Sequence, residues 1–163
     1  QSLRVLGFEC VDEAATDIIK KSQNLGIPEP WLTKDFIDQI VALQKKRQQE
    51  ALLKGLKFCF YDRSPVCTLA LARYLNYKPS KILLNELRRM RDEQVYEQKV
   101  FFFKNLGFIQ NTDARRISFE EAIRFEQFHS QAYEEWGYEL IYIPKGSIEE
   151  RVERVLSALF SMR

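Results

Sequence analysis

The stretch that decides the fold is 56-LKFCFYDRSPVC-67, in which an apolar run leads directly into Asp62, Arg63 and Ser64. The apolar run is typical of a buried strand, and Pro65 suits the first turn of a helix that follows it. Charged residues at the end of a strand often mark only the edge of the core. In open parallel sheets, however, ligands bind at the carboxyl ends of the strands.

The composition is that of one globular domain. The chain has 163 residues, of which 45% are hydrophobic and 29% are charged, and its net charge is +2. This balance implies no general attraction to nucleic acid or to a membrane surface. The sequence contains no apolar run long enough to cross a membrane and no signal peptide. We therefore expect neither a nucleic-acid nor a membrane partner, and the oligomeric state stays open.

The cysteines indicate a reducing compartment. The single histidine gives no indication of a zinc site. Cys10, Cys59 and Cys67 form no CxxC pair, and their odd number favours a cytoplasmic location. Cys10 and Cys59 lie in apolar runs, as small buried hydrophobic residues do. His129 lies in a helical pattern without Cys or His partners, so a surface or core histidine is favoured over a catalytic one.

Strand patterns alternate with helical patterns along the whole chain. This order predicts a parallel sheet with crossover helices on both faces, and the continuous apolar strands agree with a sheet covered on both sides. We expect the predicted strands to be parallel neighbours in one sheet. They are 8–12, 57–62, 99–104 and 138–143.

Three helix starts are predicted from capping residues. Ser118 with Glu121, and Ser147 with Glu150, each have the spacing of a capping box. Thr33 is predicted to cap the helix that follows it.

Polar residues follow every predicted strand. In a parallel sheet these groups would gather at one edge, where acids could hold Mg²⁺ and arginines could neutralise phosphate oxygens. A lone aspartate there is more often a helix cap, so both readings stay open. The groups are Asp12-Glu13, Asp62-Arg63-Ser64, Asn111-Asp113-Arg115-Arg116 and Pro144-Lys145-Gly146-Ser147.

The segments GFECVDEAA, FYDRS, NTDARRISFEEA and GYELIYIPKGSIEERVERVL resemble, in that order, blocks of an AAA-like P-loop ATPase family. That family is similar to ribosylnicotinamide kinase and, more distantly, to deoxynucleoside kinases. The resemblance spans nearly the whole chain. It implies a three-layer α/β fold of the P-loop NTPase type, with a parallel sheet between helices, and it implies ATP and Mg²⁺ as cofactors.

The resemblance also implies roles for individual residues. Glu13 matches an acid that acts as base or metal partner, and Asp62 matches an acid that contacts the metal. Arg63 matches the arginine on the side of the phosphate acceptor. Arg115 and Arg116 match arginines of a lid, here 107–118, that closes over the triphosphate and is expected to be mobile without nucleotide.

The loop after the last strand matches the segment that borders the adenine in this family. Its residues are Pro144, Lys145, Gly146 and Ser147.

The chain departs from the family in one large respect, because its six glycines form no GxxxxGK[ST] phosphate-binding loop. We expect that a central strand and this loop, roughly 15–25 residues, precede the given sequence. Residues 1–163 would then be a single but N-terminally incomplete P-loop domain. The sheet would have room for another strand between 57–62 and 99–104.

Two functions stay open at this point. The first is an ATP-binding enzyme, either an ATPase or a small-molecule, nucleoside-type kinase with an unidentified acceptor. The second is a non-catalytic, degenerate P-loop domain that serves protein interaction or regulation. The arginines of helix 81–94 are either a solvated face or a substrate patch. Trp31 and Phe36 are expected in the core rather than stacked on a base.

Overall fold

The computed structural model describes residues 1–106 and 118–161. Helices and short strands alternate along this part of the chain, as the sequence predicts. In chain order they are α1 (Ser2–Val5), β1 (Glu9–Val11), α2 (Ala14–Asn24), a 3₁₀ turn (Pro30–Leu32), α3 (Phe36–Leu52), β2 (Cys59–Tyr61), α4 (Pro65–Tyr74), α5 (Lys81–Asp92), β3 (Lys99–Phe103), α6 (Phe119–Glu135), β4 (Glu139–Ile143) and α7 (Ile148–Ser161).

The strands form two parallel pairs. β1 pairs with β2, with Glu9 opposite Cys59 and Val11 opposite Tyr61. β3 pairs with β4 over five residues each, starting with Lys99 opposite Glu139. The parallel direction and the identity of all four strands are confirmed.

The four described strands do not form one continuous sheet, so the single sheet is not confirmed. The hydrogen-bonded order is β1-β2 in one sheet and β3-β4 in another. Between the pairs, the rings of Phe60 and Phe101 lie with their centroids 6.4 Å apart, which is side-chain contact without a backbone ladder. The break falls between the strands where room for a further strand is predicted. That strand itself, and the three-layer arrangement, stay predictions.

The core lies among the helices rather than on the strands. α4 packs against α3, α5 and α6. The residues of β1 and β2 are only half-buried, so the expectation of strands covered on both faces fails for this pair. Phe36 is in the core, as expected. The largest fully buried apolar side chains include Phe36, Ile40, Leu69, Leu83, Leu87 and Met90.

Local capping signals place most helix ends. The Ser118 hydroxyl accepts from the Glu121 N–H at 3.1 Å, and the Glu121 carboxylate accepts from the Ser118 N–H at 2.6 Å. Ser147 and Glu150 repeat the same box at the start of α7. Gly137, with φ +82°, follows the end of α6, where a left-handed residue is needed.

The prediction for Thr33 is wrong. Its hydroxyl donates to the Pro30 carbonyl at 2.6 Å and closes the 3₁₀ turn, and α3 begins after Asp35 instead. The hydroxyl oxygen keeps its acceptor capacity, but the side chain turns back to Pro30 and no side-chain hydrogen bond caps α3.

Among the helices of the described residues, none is both long and apolar enough to cross a membrane.

Replacement of the α6 cap tests how far this local signal stabilises the fold. We expect Ser118→Ala to lower the free energy of unfolding by about 1 kcal/mol, because it removes the acceptor for an orphan N–H. Ser130→Ala is the matched control. Its hydroxyl donates to the Gln127 carbonyl inside the same helix, and alanine is the better helix former there. Urea unfolding that shows equal losses for both variants would contradict the capping role.

Candidate functional site

The pairing of β1 with β2 brings two of the predicted strand ends together. The Asp62 N–H donates to the Val11 carbonyl at 2.8 Å, so the ladder extends one residue beyond β2. The chain after β1 therefore runs beside the chain after β2. Glu13 lies half-buried at this edge and Asp62 lies exposed. The prediction that the ends of these strands share one edge is confirmed.

Arg63 connects this edge to helix α6. Its backbone has φ +75°, a left-handed conformation that non-glycine residues rarely adopt. Its Nη1 lies 3.1 Å from His129 Nε2, and its Nε lies 3.7 Å from Glu13 Oε1. Burial would lower the pKa of Arg63, but the nearby Cys67, Glu13 and Asp62 raise it above the ordinary value. The guanidinium is thus a cation held beside two carboxylates at the strand ends.

The carboxylates after β1 differ in their contacts. Glu13 Oε2 accepts from the Thr16 hydroxyl at 2.6 Å, while its other oxygen faces Arg63. Asp12 pairs with Arg4 at 2.9 Å, and the hydrogen bond from Arg4 lowers the pKa of this carboxyl. Asp12 therefore pairs with Arg4 next to β1, and Glu13 is the acid that faces Arg63.

Arg47 is a residue of this site that the sequence reasoning missed. Its guanidinium donates to the Asp12 carbonyl at 2.9 Å and to the Glu13 carbonyl at 3.1 Å, and it also pairs with Asp17. These contacts fix the turn from β1 into α2. The partners lie 30 to 35 residues away along the chain, so no local pattern marks them.

His129 and Tyr133 are the other missed residues. His129 Nδ1 lies 2.8 Å from the Phe125 carbonyl, which can only accept, so this nitrogen carries the hydrogen. In the neutral ring Nε2 is then an acceptor for Arg63. Phe125, His129 and Tyr133 follow one another at four-residue spacing, and this spacing predicts a shared helix face. Of the two positions that the sequence left open for His129, surface or core, the structure shows the core, because only 4% of its surface is exposed.

Ser64 is a helix cap. Its hydroxyl accepts from the Val66 N–H at 3.2 Å and lies 2.9 Å from the Tyr133 hydroxyl. Pro65 occupies the first turn of α4, as predicted.

The loop after β4 belongs to the second strand pair. Pro144, Lys145, Gly146 and Ser147 are exposed, and Ser147 serves as the cap of α7. A side chain on Gly146 would meet the carboxylate of Glu150 at 2.6 Å. The carboxylate is the far end of a flexible side chain that could move aside, so the structural role shown here is that of Ser147 as the cap. A contact with adenine stays a prediction.

Arg115 and Arg116, and the lid segment apart from Ser118, lie outside the described residues.

Two arginines of α5 form ion pairs with nearby acidic side chains. Arg89 pairs with Glu86 and with Glu93, each at 2.6 Å, and Arg91 pairs with Asp92 at 3.0 Å. Arg89 is largely buried with Glu86 whereas Arg91 is solvated, and both are paired with acids, which disfavours a substrate patch.

Comparison with known proteins gives one match. The family model described as AAA domain matches residues 1–151. The chain belongs to the AAA domain family. No curated protein and no solved structure gives a significant match. AAA domains are P-loop domains that generally bind nucleotide together with Mg²⁺, so the family agrees with the resemblance drawn from the four segments.

The carboxylates of this AAA domain suit Mg²⁺ better than a metal ion that takes all its ligands from protein side chains. Within residues 1–106 and 118–161, no group of three His, Cys, Asp or Glu side chains is placed to hold a metal ion. Mg²⁺ keeps several waters and needs only one or two carboxylates besides the phosphates of a substrate. Glu13 and Asp62 at one sheet edge fit that smaller requirement.

The role of Arg47 can be measured by unfolding. We expect Arg47→Ala to lower the free energy of unfolding by about 1–2 kcal/mol, because two carbonyls lose a charged donor. Lys46→Ala is the control, since its 3.8 Å pair with Glu50 is an exposed contact within one helix. Its effect is expected to stay within about 0.5 kcal/mol. Similar losses in both variants, measured in urea, would show that the turn after β1 does not depend on Arg47.

Proposed function

We propose that this AAA domain is part of an ATP-binding enzyme, either an ATPase or a small-molecule kinase that transfers the γ-phosphate of ATP with Mg²⁺. The observation that carries the proposal is the grouping of Glu13, Asp62 and Arg63 at the carboxyl ends of β1 and β2. Ligands bind at this edge of open α/β sheets. The resemblance to ribosylnicotinamide kinase supports a nucleoside-type acceptor for the kinase alternative.

The proposed roles follow from the chemistry of each side chain. Asp62 and Glu13 would hold Mg²⁺ through oxygen or water contacts, and the ion would neutralise charge that develops on the phosphate. Glu13 would also accept a proton from an acceptor hydroxyl. Arg63 would orient the acceptor, because a guanidinium fork matches phosphate or carboxylate oxygens.

The remaining predicted residues complete the proposed site. Arg115 and Arg116 would stabilise the transferring phosphate from the lid, and the loop of Pro144, Lys145, Gly146 and Ser147 would border the adenine.

A second candidate is a non-catalytic domain that serves interaction or regulation. Contacts of the strand-end acids support it. Glu13 accepts from Thr16 at 2.6 Å, and Asp12 pairs with Arg4 at 2.9 Å, as structural carboxylates do. In that case these groups would stabilise the fold and take no part in chemistry.

Replacement of Asp62 separates the two candidates. In the protein expressed from its complete reading frame, we expect Asp62→Asn to lower Mg²⁺-dependent ATP turnover by a factor of roughly 10², equivalent to about 2.7 kcal/mol of transition-state stabilisation. The amide keeps the shape but loses the negative charge that a hard cation requires. The melting temperature, measured by circular dichroism, is expected to change little.

Asp12→Asn is the matched control, because it removes a carboxylate from the end of the neighbouring strand, where the side chain is 70% exposed and paired with Arg4. Its turnover is expected to stay within a few-fold of the unmodified protein. No turnover in the unmodified protein, together with no thermal shift on addition of MgATP, would favour the non-catalytic domain. Full activity of Asp62→Asn would remove Asp62 from the site while leaving the enzyme class in place.

The lid arginines are tested by separating turnover from binding. We expect Arg115→Ala and Arg116→Ala to lower kcat more than they weaken the binding of ATP, because a lid cation stabilises charge that develops in the transition state. Arg124→Ala is the control, since this exposed guanidinium lies over the ring of Phe128 on α6, 5.8 Å from its centroid. Steady-state kinetics with unchanged kcat in both lid variants would exclude a catalytic role for the segment.

A further inference from the structure

Beside the candidate site, the buried ring of His129 faces the guanidinium of Arg63. Only 4% of the His129 surface is exposed, whereas the side chain of Arg63 is 35% exposed. The chemistry proposed above gives a role to Arg63 and none to His129. A buried polar ring that contacts a cation at the strand ends therefore still needs an explanation.

The orientation of the His129 ring is determined by the helix that carries it. Nδ1 donates to the Phe125 carbonyl at 2.8 Å, one turn earlier in α6, and the ring packs edge-on against Phe125 with centroids 4.3 Å apart. α6 is 17 residues long, begins at the capping box of Ser118 and Glu121, and packs against α4. The ring is therefore held by a long helix rather than by a loop.

This orientation determines which nitrogen faces Arg63 and in what state. Because Nδ1 carries the hydrogen, the neutral ring presents the lone pair of Nε2, which lies 3.1 Å from Arg63 Nη1. The guanidinium donates and the ring accepts. A protonated ring would instead turn an N–H and a positive charge towards the guanidinium. The contact therefore requires the neutral ring of His129 with its hydrogen on Nδ1.

The direction of the Arg63 side chain depends on this contact rather than on the backbone. On one side of Arg63, the Asp62 N–H extends the ladder with β1, and on the other side Ser64 caps α4. These bonds fix the main chain but leave the long side chain of an arginine free to rotate. Glu13 approaches the guanidinium only to 3.7 Å and is itself about one-third exposed. His129 is therefore the partner that fixes where the guanidinium points.

We propose that His129 is a positioning residue, which holds Arg63 so that the remaining N–H groups of its fork face the acceptor. The proposal rests on the proposed function for the role of Arg63, but not for the contact itself. A guanidinium has five N–H donors, and the bond to His129 uses one of them. A guanidinium that is already held in place loses less conformational freedom when a phosphate or carboxylate arrives. His129 itself would not touch the acceptor.

The alternative is that His129 only fills space between α4 and α6. His129→Phe would serve that purpose equally well, since it keeps a ring against Phe125, but it offers no acceptor to Arg63. His129→Gln changes the shape but keeps an oxygen that can accept from a guanidinium. The two substitutions therefore separate packing from positioning.

NMR of the protein expressed from its complete reading frame tests the contact without any need for turnover. His129 is the single histidine of residues 1–163, and its ring signals are identified by their loss in His129→Phe. At about pH 7.5 we expect the neutral ring with its hydrogen on Nδ1. The side-chain N–H signals of Arg63 are identified by their loss in Arg63→Lys. Their exchange with water is expected to be at least about ten-fold faster in His129→Phe than in the unmodified protein, and within about three-fold of it in His129→Gln.

Turnover then tests the role that the proposed function gives to this contact. We expect His129→Phe to lower kcat for Mg²⁺-dependent ATP turnover by about ten-fold while KM for ATP stays within about two-fold. The reason is that a misplaced cation on the acceptor side affects the transition state more than it affects the binding of ATP. His129→Gln is expected to restore kcat to within about three-fold of the unmodified protein.

Tyr74→Phe is the matched control. The Tyr74 ring packs on Phe125 at the same interface between α4 and α6, with centroids 4.8 Å apart. The loss of its hydroxyl is expected to change neither the exchange of the Arg63 N–H groups nor kcat.

Unchanged exchange of the Arg63 N–H groups in His129→Phe, or a His129 ring with its hydrogen on Nε2, would overturn the proposal. A kcat that falls equally in both variants, or only in His129→Gln, would overturn it as well, because packing alone predicts such results. Absence of turnover in the unmodified protein would instead contradict the proposed function. In that case the exchange rates would still decide whether His129 holds Arg63.

Discussion

The left-handed backbone of Arg63 is the constraint on which the arrangement around β2 depends. It turns the chain from the strand into α4 within three residues, and it directs the side chain towards α6. An L-residue in this conformation costs roughly 1–2 kcal/mol. A hydrogen bond that involves a charged group contributes about 1.5–3 kcal/mol, so the contact with His129 is sufficient to hold the strained backbone. Glycine would take the same φ without strain but would supply no cation, and strain kept at such a point indicates a functional constraint.

The strand pair that carries the site is stabilised by side chains rather than by its own ladder. β1 and β2 have three residues each, too few for a pair to be stable alone. Cations from flanking segments compensate. Arg4 bonds to the Cys10 carbonyl and pairs with Asp12, Arg47 holds the following turn, and Lys54 pairs with Glu9. Because the helices hold the main core, the strands are free to place polar groups at their ends.

The sequence predicts what local chemistry determines. The four strands, the capping boxes at Ser118 and Ser147 and the start of a helix at Pro65 all follow from short patterns, and the structure has them. Thr33 fails because its side chain turns back to the Pro30 carbonyl, and α3 begins two residues later, after Asp35. The described strands do not join into one sheet, and the gap between β2 and β3 falls where the sequence analysis expects a further strand.

The site was predictable only in part, because some of its contacts join residues that lie far apart along the chain. Glu13, Asp62 and Arg63 follow from strand ends and parallel pairing. Arg47 and His129 reach their partners across 34 and 66 residues, and no spacing rule connects such positions. For His129 and Tyr133 the four-residue repeat indicates a shared face, but not the arginine and the thiol that the face meets. Partners of this kind become visible only when the packing of α4 on α6 is known.

The two contacts of Arg63 differ in a way that bears on the use of its guanidinium. The bond to His129 is 3.1 Å long and involves a buried ring, so it fixes one end of the fork. The approach to Glu13 is 3.7 Å, beyond hydrogen-bond range, and both side chains there are about one-third exposed. A loose, solvated ion pair contributes little to stability and is readily exchanged. An anion that arrives at the strand ends would therefore displace Glu13 from Arg63 without disturbing His129. The carboxylate released in this way would lie beside the incoming group, where it could bind a metal ion or accept a proton from a hydroxyl.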